Sequence, residues 1–287
     1  MSRRRSPTTD PLSAVRAIKA DVVAALFADE MLARRLVLKG GSALDLAYGL
    51  SYRASIDLDL SIAGDFTEAE LSGMPSLMQR VLEAAFRPRG VRVFDLEFSP
   101  RPERVSADLA GFWGGYSLCF KLIDANHCES IPVTDWAREA MVVGPAQRRT
   151  LEVDISRFEC CDDADEVVIA GRAVRAYSPR LMVCEKLRAI CQQMPEYRAT
   201  VKRPHGSARA RDFFDIRELV VQFTIVVTTP RFRNVLARVF AAKRVPIALL
   251  WRIEEAREMH RADFASVQAT IQAGVIVASY DEYVDFV

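Results

Sequence analysis

Two aspartates separated by a single leucine lie in a stretch that alternates apolar and polar residues, Ile-Asp-Leu-Asp-Leu-Ser-Ile at 56–62. The alternation predicts a β-strand, and residues two apart on a strand project from the same face. Carboxylates held side by side repel each other unless a cation lies between them. Mg²⁺ prefers oxygen ligands and leaves room for substrate phosphates. Asp57 and Asp59 are therefore candidate ligands for Mg²⁺, or for Mn²⁺ in its place.

A second acidic stretch supplies candidates for a third carboxylate. Residues 149–158 are predicted to form a strand in which Glu152 and Asp154 share one face. Asp154 beside the pair would complete a metal site of the kind that stabilises the attacking and leaving oxygens of an in-line displacement. Glu152, on the same face, is the alternative.

A glycine-rich turn precedes the first acidic strand. Gly40-Gly41-Ser42 follows a predicted strand at 37–39 and opens a predicted helix at 43–48, with Ser42 as its N-cap. Glycines let the backbone approach a polyphosphate closely, and a helix N-terminus offers N–H groups to it. The two aspartates alone would also fit a solvated edge strand. Joined to this turn, they indicate a site for a nucleoside triphosphate with its metal ions.

The elements around this site are predicted from hydrophobic periodicity and cap residues. The first part of the chain is predicted to hold helices at 11–36 and 67–86, strands at 91–98 and 116–123, and a hairpin with strands at 167–169 and 173–174. From Ser178-Pro179 onwards the predicted helices are 179–193, 208–226, 230–242, 246–259 and 262–278. We expect an α/β (α+β) protein, with a mixed β-sheet flanked by helices over 1–176 and an all-helical domain over 177–287.

Composition excludes several classes of protein. Of the 287 residues, half are hydrophobic and the net charge is +1, which is typical of a globular chain. No run approaches the roughly 20 apolar residues needed to cross a bilayer. The basic start is not followed by the apolar segment of a secretory signal, so we expect a cytoplasmic protein with reduced cysteines. The three histidines are far apart, which argues against a histidine metal site or a hydrolase triad.

A basic segment follows the predicted domain boundary. Residues 186–217 contain eight lysines and arginines but only three acids. Part of the segment, 198–211, is predicted to be a loop, and a basic loop near a phosphate site suits a nucleic-acid backbone. A surface loop balanced by acids elsewhere is the alternative. The candidate RNA-binding residues are Arg198, Lys202, Arg203, Arg209 and Arg211.

Four motifs together resemble a known family. The Lys-Gly-Gly-Ser turn at 39–42 and the Arg-x-Ser-x-Asp-Leu-Asp-Leu stretch at 53–60 resemble nucleotidyltransferases of the DNA polymerase β type. The Glu-Lys-Leu at 185–187 and the Arg-Asp-Phe-Phe-Asp at 211–215 extend the likeness to AbiEii-type toxins. These are nucleotidyltransferases of bacterial toxin–antitoxin and phage-defence systems.

The resemblance implies roles for individual residues. Asp57 and Asp59 would bind the metal, while the glycine turn, Ser42 and Arg53 would contact the triphosphate. Lys186 would reach the phosphates from the helical domain, and Asp212 would be a further essential acid. Arg53 could equally hold the acidic strand through a salt bridge. Asp215 shares a helix face with Asp212, so either could serve the site.

The resemblance also implies a reaction: transfer of a nucleoside monophosphate from a triphosphate to RNA, with the 3′ end of tRNA as the expected acceptor. Such an enzyme would block translation and be restrained by a cognate antitoxin. Two alternatives are a nucleotidyltransferase that acts on a protein or on a small molecule such as an aminoglycoside, and a non-catalytic nucleotide-binding regulator.

Overall fold

One mixed sheet forms the centre of the fold. The computed structural model describes residues 11–50, 57–202, 205–271 and 276–287. Within these residues the strands are β1 Leu36–Lys39, β2 Leu58–Ile62, β3 Val91–Arg101, β4 Gly115–Asp124, β5 Thr150–Ser156, β6 Ala164–Ile169 and β7 Arg172–Tyr177. The sheet order is β3-β4-β5-β2-β1-β7-β6. The β2–β5 and β1–β7 pairs are parallel and the other pairs antiparallel, as predicted for a mixed sheet.

Helices cover this sheet and form most of the chain after β7. The α-helices are α1 Pro11–Leu26, α2 Glu30–Arg35, α3 Gly40–Tyr48, α4 Glu68–Phe86, α5 Ala125–Glu129, α6 Trp136–Glu139, α7 Pro179–Cys191, α8 Pro195–Val201, α9 Ala210–Gln222, α10 Pro230–Ala242, α11 Arg257–Arg261, α12 Phe264–Thr270 and α13 Tyr280–Phe286. Short 3₁₀ helices span Arg87–Arg89, Val133–Asp135 and Ile247–Ala256. No helix of the described segments is long and apolar enough to cross a membrane.

Strand periodicity places the site on one face of the sheet. Leu58 and Leu60 of β2 are buried, and Asp59 between them points to the opposite face. β5 alternates in the same way, with buried Val153 and Ile155 on either side of Asp154. The predicted hairpin is confirmed and is longer than expected, because β6 and β7 pair over 164–177.

Several predicted helix boundaries are wrong, for local reasons. The helix predicted at 11–36 is two helices, because the Asp29 carboxylate accepts hydrogen bonds from the backbone N–H groups of Met31 and Leu32 and caps α2. Helix α3 begins at Gly40 with Lys39 at the N-cap position, so Ser42 lies inside its first turn and is not the cap.

The helical half also departs from the prediction. Part of the segment predicted as a loop is helix α8, which begins at a proline in its first turn. The predicted helix at 246–259 is mostly 3₁₀, and the described part of 262–278 holds a helix only over Phe264–Thr270. The division of the chain near residue 176 remains a prediction.

Candidate active site

A polar row crosses three neighbouring strands at the centre of the sheet. Asp59 on β2 lies opposite Lys39 on the antiparallel strand β1. On its other side it lies opposite Asp154 on the parallel strand β5. The acidic strand is therefore flanked by one cation and one further carboxylate, an arrangement that only the strand order creates.

The two register-paired carboxylates are held where negative charge is unfavourable. Burial raises the pKa of Asp59, Lys39 opposes this, and Asp154 raises the pKa further. Burial likewise raises the pKa of Asp154, against the lowering effect of Arg101 and together with the raising effect of Glu152. A site that disfavours its own charges is suited to a cation.

Asp154 and Glu152 occupy different positions relative to Asp59. Asp154 is the register partner of Asp59, and both line the same cleft. Glu152 does not line it, and its carboxylate accepts hydrogen bonds from Arg101 and Arg148 instead. The geometry therefore favours Asp154 as the third acid.

The glycine turn lies directly against Asp59. Gly40 has a positive φ of 67°, and a Cβ atom built there would lie 2.6 Å from Oδ2 of Asp59. Only glycine fits, because the backbone is left-handed and the carboxylate occupies the space of a side chain. Ser42 is fully buried, and its hydroxyl donates to the backbone carbonyl of Asp57 at 2.6 Å. This bond ties the turn to the start of the acidic strand.

A cleft of about 350 Å³ opens beside the carboxylates. Its lining includes the acids Asp59 and Asp154 and the arginines Arg188 and Arg209. Gly114 and Gly115 also line it, and a Cβ atom at Gly115 would lie 2.2 Å from the backbone oxygen of Ile155. Carboxylates and guanidinium groups that line one cleft suit a bound polyphosphate with a cation.

Two arginines contact the carboxylates that surround Asp59. Arg148 donates from Nη1 to Oδ1 of Asp57 at 3.2 Å and from Nη2 to Oε2 of Glu152 at 3.1 Å. Arg101 donates to Oδ1 of Asp154 at 2.8 Å and also contacts Glu152. Asp57 itself is exposed just before β2. No sequence motif marks either arginine, because Arg101 lies 53 residues from Asp154 and Arg148 lies 91 residues from Asp57. The four-residue spacing of Arg148 and Glu152 is a local signal that could have been noticed.

A buried carboxylate that the sequence did not single out joins the sheet to the helices. Glu159 lies 3.6 Å from Nζ of Lys39, 3.4 Å from Nη2 of Arg188 and 3.3 Å from Nζ of Lys243. Burial opposes its ionisation, but Arg188, Lys39 and Lys243 outweigh burial and hold the pKa of Glu159 at about 2. It connects strand β1, helix α7 and the end of helix α10.

Lys186 lies in a second buried network. Its Nζ donates to Oδ1 of Asp212 at 3.1 Å and to Oδ2 of Asp215 at 2.6 Å. Both predicted acids of α9 therefore contact this lysine. Arg209 donates to the other oxygen of Asp212 at 2.5 Å. Arg209 lines the cleft whereas Lys186 does not, so this network reaches the cleft through the arginine.

The predicted RNA-binding residues differ in exposure and in ion pairing, and their role stays a prediction. Arg211 is exposed on α9, and exposed Lys202 pairs with Asp108 at 3.1 Å. Arg198 is half-buried in α8, and Arg209 is engaged with Asp212. Arg203, like the predicted phosphate ligand Arg53, lies outside the described residues. Acids elsewhere in the fold therefore offset part of the positive charge counted along the segment.

The donor set fits a hard divalent cation. Asp57, Asp59 and Asp154 offer only carboxylate oxygens, which Mg²⁺ and Mn²⁺ prefer. Within the described ranges, no three acidic, histidine or cysteine side chains already converge on a metal position. Arg148 contacts Asp57 and Arg101 contacts Asp154, so two of the three carboxylates are paired with guanidinium groups.

The mixed sheet, the glycine turn and the paired carboxylates define a nucleotidyltransferase. A sequence model of the family described as nucleotidyl transferase AbiEii toxin, type IV toxin–antitoxin system, matches residues 21–285. The chain belongs to this family of nucleotidyltransferase enzymes. No curated protein matches the sequence.

Solved structures are similar to this chain at low sequence identity. MenT4, a nucleotidyltransferase toxin from Mycobacterium tuberculosis, is 13% identical with a TM-score of 0.50, over 96% of this chain and 81% of MenT4. JHP933 from Helicobacter pylori is 17% identical with a TM-score of 0.41, over 91% of this chain and 99% of JHP933. The antibiotic-resistance factor ANT(2'')-Ia is 15% identical with a TM-score of 0.35, over 87% and 98%. At such identities the likeness to MenT4 concerns the fold alone.

Proposed function

We propose that this enzyme transfers a nucleoside monophosphate from a nucleoside triphosphate to RNA, with the 3′ end of tRNA as acceptor, and thereby blocks translation. The observation that carries the proposal is the register pair of Asp59 and Asp154 beside the Gly40 turn. The membership of a toxin family supports a toxic outcome and an antitoxin partner. The MenT4 toxin, which shares the fold, supports the same class of function.

In this proposal some residues of the site bind the metal ion and others bind the triphosphate. Asp57, Asp59 and Asp154 would hold Mg²⁺ or Mn²⁺, which when bound neutralises phosphate charge and polarises the reacting phosphorus centre. Gly40 and Gly41 bring the first N–H groups of α3 close to the phosphates. Arg188 and Arg209, which line the same cleft, complement the charge of the triphosphate. Catalysis then rests on positioning and on charge stabilisation in the transition state.

Two parts of the network act indirectly in this scheme. Ser42 orients the acidic strand, because its hydroxyl donates to the Asp57 carbonyl. The hydroxyl proton is therefore not donated to a phosphate. Lys186 fixes Asp212, and Asp212 fixes Arg209 at the cleft. Lys186 is thus a positioning residue in the resting arrangement, and its amine must leave the two aspartates to contact phosphate directly.

We infer that the RNA acceptor contacts exposed residues of the basic segment 186–217. Lys202 and Arg211 are exposed and lie on either side of the cleft residue Arg209 along the chain, with Lys202 paired to the exposed Asp108. Such residues suit contacts to a phosphodiester backbone, which are sensitive to salt. We expect the variant with both Arg211→Ala and Lys202→Ala to lose transfer to RNA while its affinity for the triphosphate is kept.

The test is incubation of the pure protein with total RNA, Mg²⁺ and each α-labelled triphosphate in turn. We expect label in RNA of tRNA size, at the 3′ end after nuclease mapping, with release of pyrophosphate. Asp59→Asn is the inactive control. Label on protein, label on an added aminoglycoside only, or nucleotide binding without pyrophosphate release would each contradict the proposed acceptor or reaction.

A further inference from the structure

Two arginines, Arg101 and Arg148, contact the carboxylates that are the proposed ligands of a divalent cation. Arg148 bridges Asp57 and Glu152 with its two terminal nitrogens. Arg101 bridges Glu152 and Asp154. Glu152 lies between them and is contacted by both. Two guanidinium groups therefore span the same acidic face that supplies the proposed metal ligands.

Each arginine combines an anchored part with exposed terminal nitrogens. Nε of Arg148 donates to the backbone carbonyl of Thr150 at 3.1 Å, so one edge of its guanidinium is anchored at the start of β5 while Nη1 and Nη2 contact the carboxylates. Arg101 lies at the last position of β3, opposite Gly115 of β4, and lines the cleft. The side chains of Arg148 and Arg101 are 32% and 55% exposed, so their terminal nitrogens can exchange partners without unpacking the core.

The charges of the site give the two guanidinium groups alternative partners: carboxylates or phosphate oxygens. Asp57, Asp59, Glu152 and Asp154 carry four negative charges if all are ionised, and the two arginines partly neutralise them in the structure. When the carboxylates engage a divalent cation, the guanidinium groups face a like charge and lose their partners. A triphosphate brings several oxygens in the same step, and a guanidinium binds phosphate in the two-pronged geometry in which it binds a carboxylate.

We propose that Arg101 and Arg148 are triphosphate-binding residues that exchange the carboxylates of the acidic face for phosphate oxygens as substrate and cation enter together. Glu152 is then the resting partner of both arginines rather than a metal ligand. The inference rests on the proposed function, because it assumes that the cleft takes a triphosphate. It adds that the empty enzyme shields its own acidic face, so the cation binds weakly until nucleotide is present.

Two binding measurements separate this exchange from a structural role. Affinity for Mn²⁺ alone is measured by the electron paramagnetic resonance signal of the free ion, and affinity for non-cleavable α,β-methylene triphosphates is measured with Mn²⁺ present. In Arg148→Ala and in Arg101→Ala, we expect Mn²⁺ alone to bind about threefold to tenfold more tightly, because a competing cation is removed. We expect the triphosphate analogue to bind about tenfold more weakly, because a charge-assisted hydrogen bond is lost.

A conservative variant and a matched control sharpen the test. Arg148→Lys keeps the charge but cannot bridge two carboxylates with a planar fork, so we expect an intermediate loss of analogue affinity. Arg80→Ala removes an exposed arginine of α4 that does not line the cleft, and should change neither affinity. Thermal melts check that every variant is folded.

The outcomes distinguish this inference from the proposed function. Unchanged affinities in both arginine variants, or weaker Mn²⁺ binding with an unchanged analogue affinity, would overturn the exchange and leave the arginines as stabilising ion pairs. If the unaltered protein binds no triphosphate analogue, the proposed function fails first and this inference fails with it. If it binds the analogue but never labels RNA, only the acceptor is wrong and the exchange is still decided by the two affinities.

Discussion

Glu159→Gln tests whether the buried carboxylate holds the sheet and the helices together. The side chain is 6% exposed and lies within 3.6 Å of Lys39, Arg188 and Lys243. The amide keeps the shape but removes the charge, which leaves three buried cations close to one another. Breaking a buried ion pair by removing one partner costs about 3–5 kcal/mol. For a chain of this size we expect a fall in Tm of roughly 10 °C.

The assay is a thermal melt followed by circular dichroism, with Asp162→Asn as the matched control. Asp162 is three residues away, and its side chain is 73% exposed and pairs with Arg238. A surface pair of this kind contributes about 0–1 kcal/mol, so the control should shift Tm by no more than a few degrees. If Glu159→Gln melts at the same temperature as the control, the inferred importance of Glu159 is wrong. A second Lys243→Met change should restore part of the lost stability, because it removes one of the uncompensated charges.

The same residue predicts a dependence of stability on pH. The cations around Glu159 lower its pKa to about 2 in the folded protein, below the ordinary value of 4.5. A lowered acid pKa contributes stability that is fully present above pH 4.5 and is lost as the pH falls toward 2. We therefore expect the free energy of unfolding to fall less steeply over this range in Glu159→Gln than in the unaltered protein. The free energy of unfolding is measured by urea titration at several pH values. If it falls equally steeply with pH in both proteins, the reasoning is wrong.

Three further substitutions test the site. Gly40→Ala places a methyl group against the Asp59 carboxylate at a positive φ. It should abolish transfer and lower the free energy of unfolding by about 1–2 kcal/mol. The control Gly73→Ala, in an open position of α4, should raise the free energy of unfolding by about 0.5–1 kcal/mol in the same melt. Asp59→Asn should lower transfer at least about 100-fold in the labelling assay. It should leave Tm unchanged or higher, because burial opposes the charge of this carboxylate. A large fall in Tm would refute this. Lys186→Ala should lower both Tm and transfer, because its amine contacts Asp212 and Asp215; full activity would exclude it from the site.

Local patterns predicted most of the sheet but misplaced several helix ends. The alternation at 58–62 and 150–156 identified both acidic strands, since period-two burial is a property of the segment itself. Periodicity predicts neither the helix break at Asp29 nor helix α8, because it does not register a side-chain cap or a proline in the first turn. The residue types at 40–42 favour Ser42 as the cap of α3, whereas the helix begins at Gly40, which has a left-handed φ.

What the sequence determined by itself is the chemistry of the centre: an acid pair on one strand face and a glycine turn that can approach it. Both follow from neighbours in the chain, so periodicity and residue type suffice to find them. The tertiary structure alone decided that Asp154 rather than Glu152 faces Asp59, and that Arg101 of β3 and Arg148, two residues before β5, contact Asp57, Glu152 and Asp154. It also brought Glu159 against cations from three elements. Such pairings depend on strand order and register between segments far apart in the chain, as for Lys39 and Ser156, which are 117 residues apart, and no local pattern encodes them.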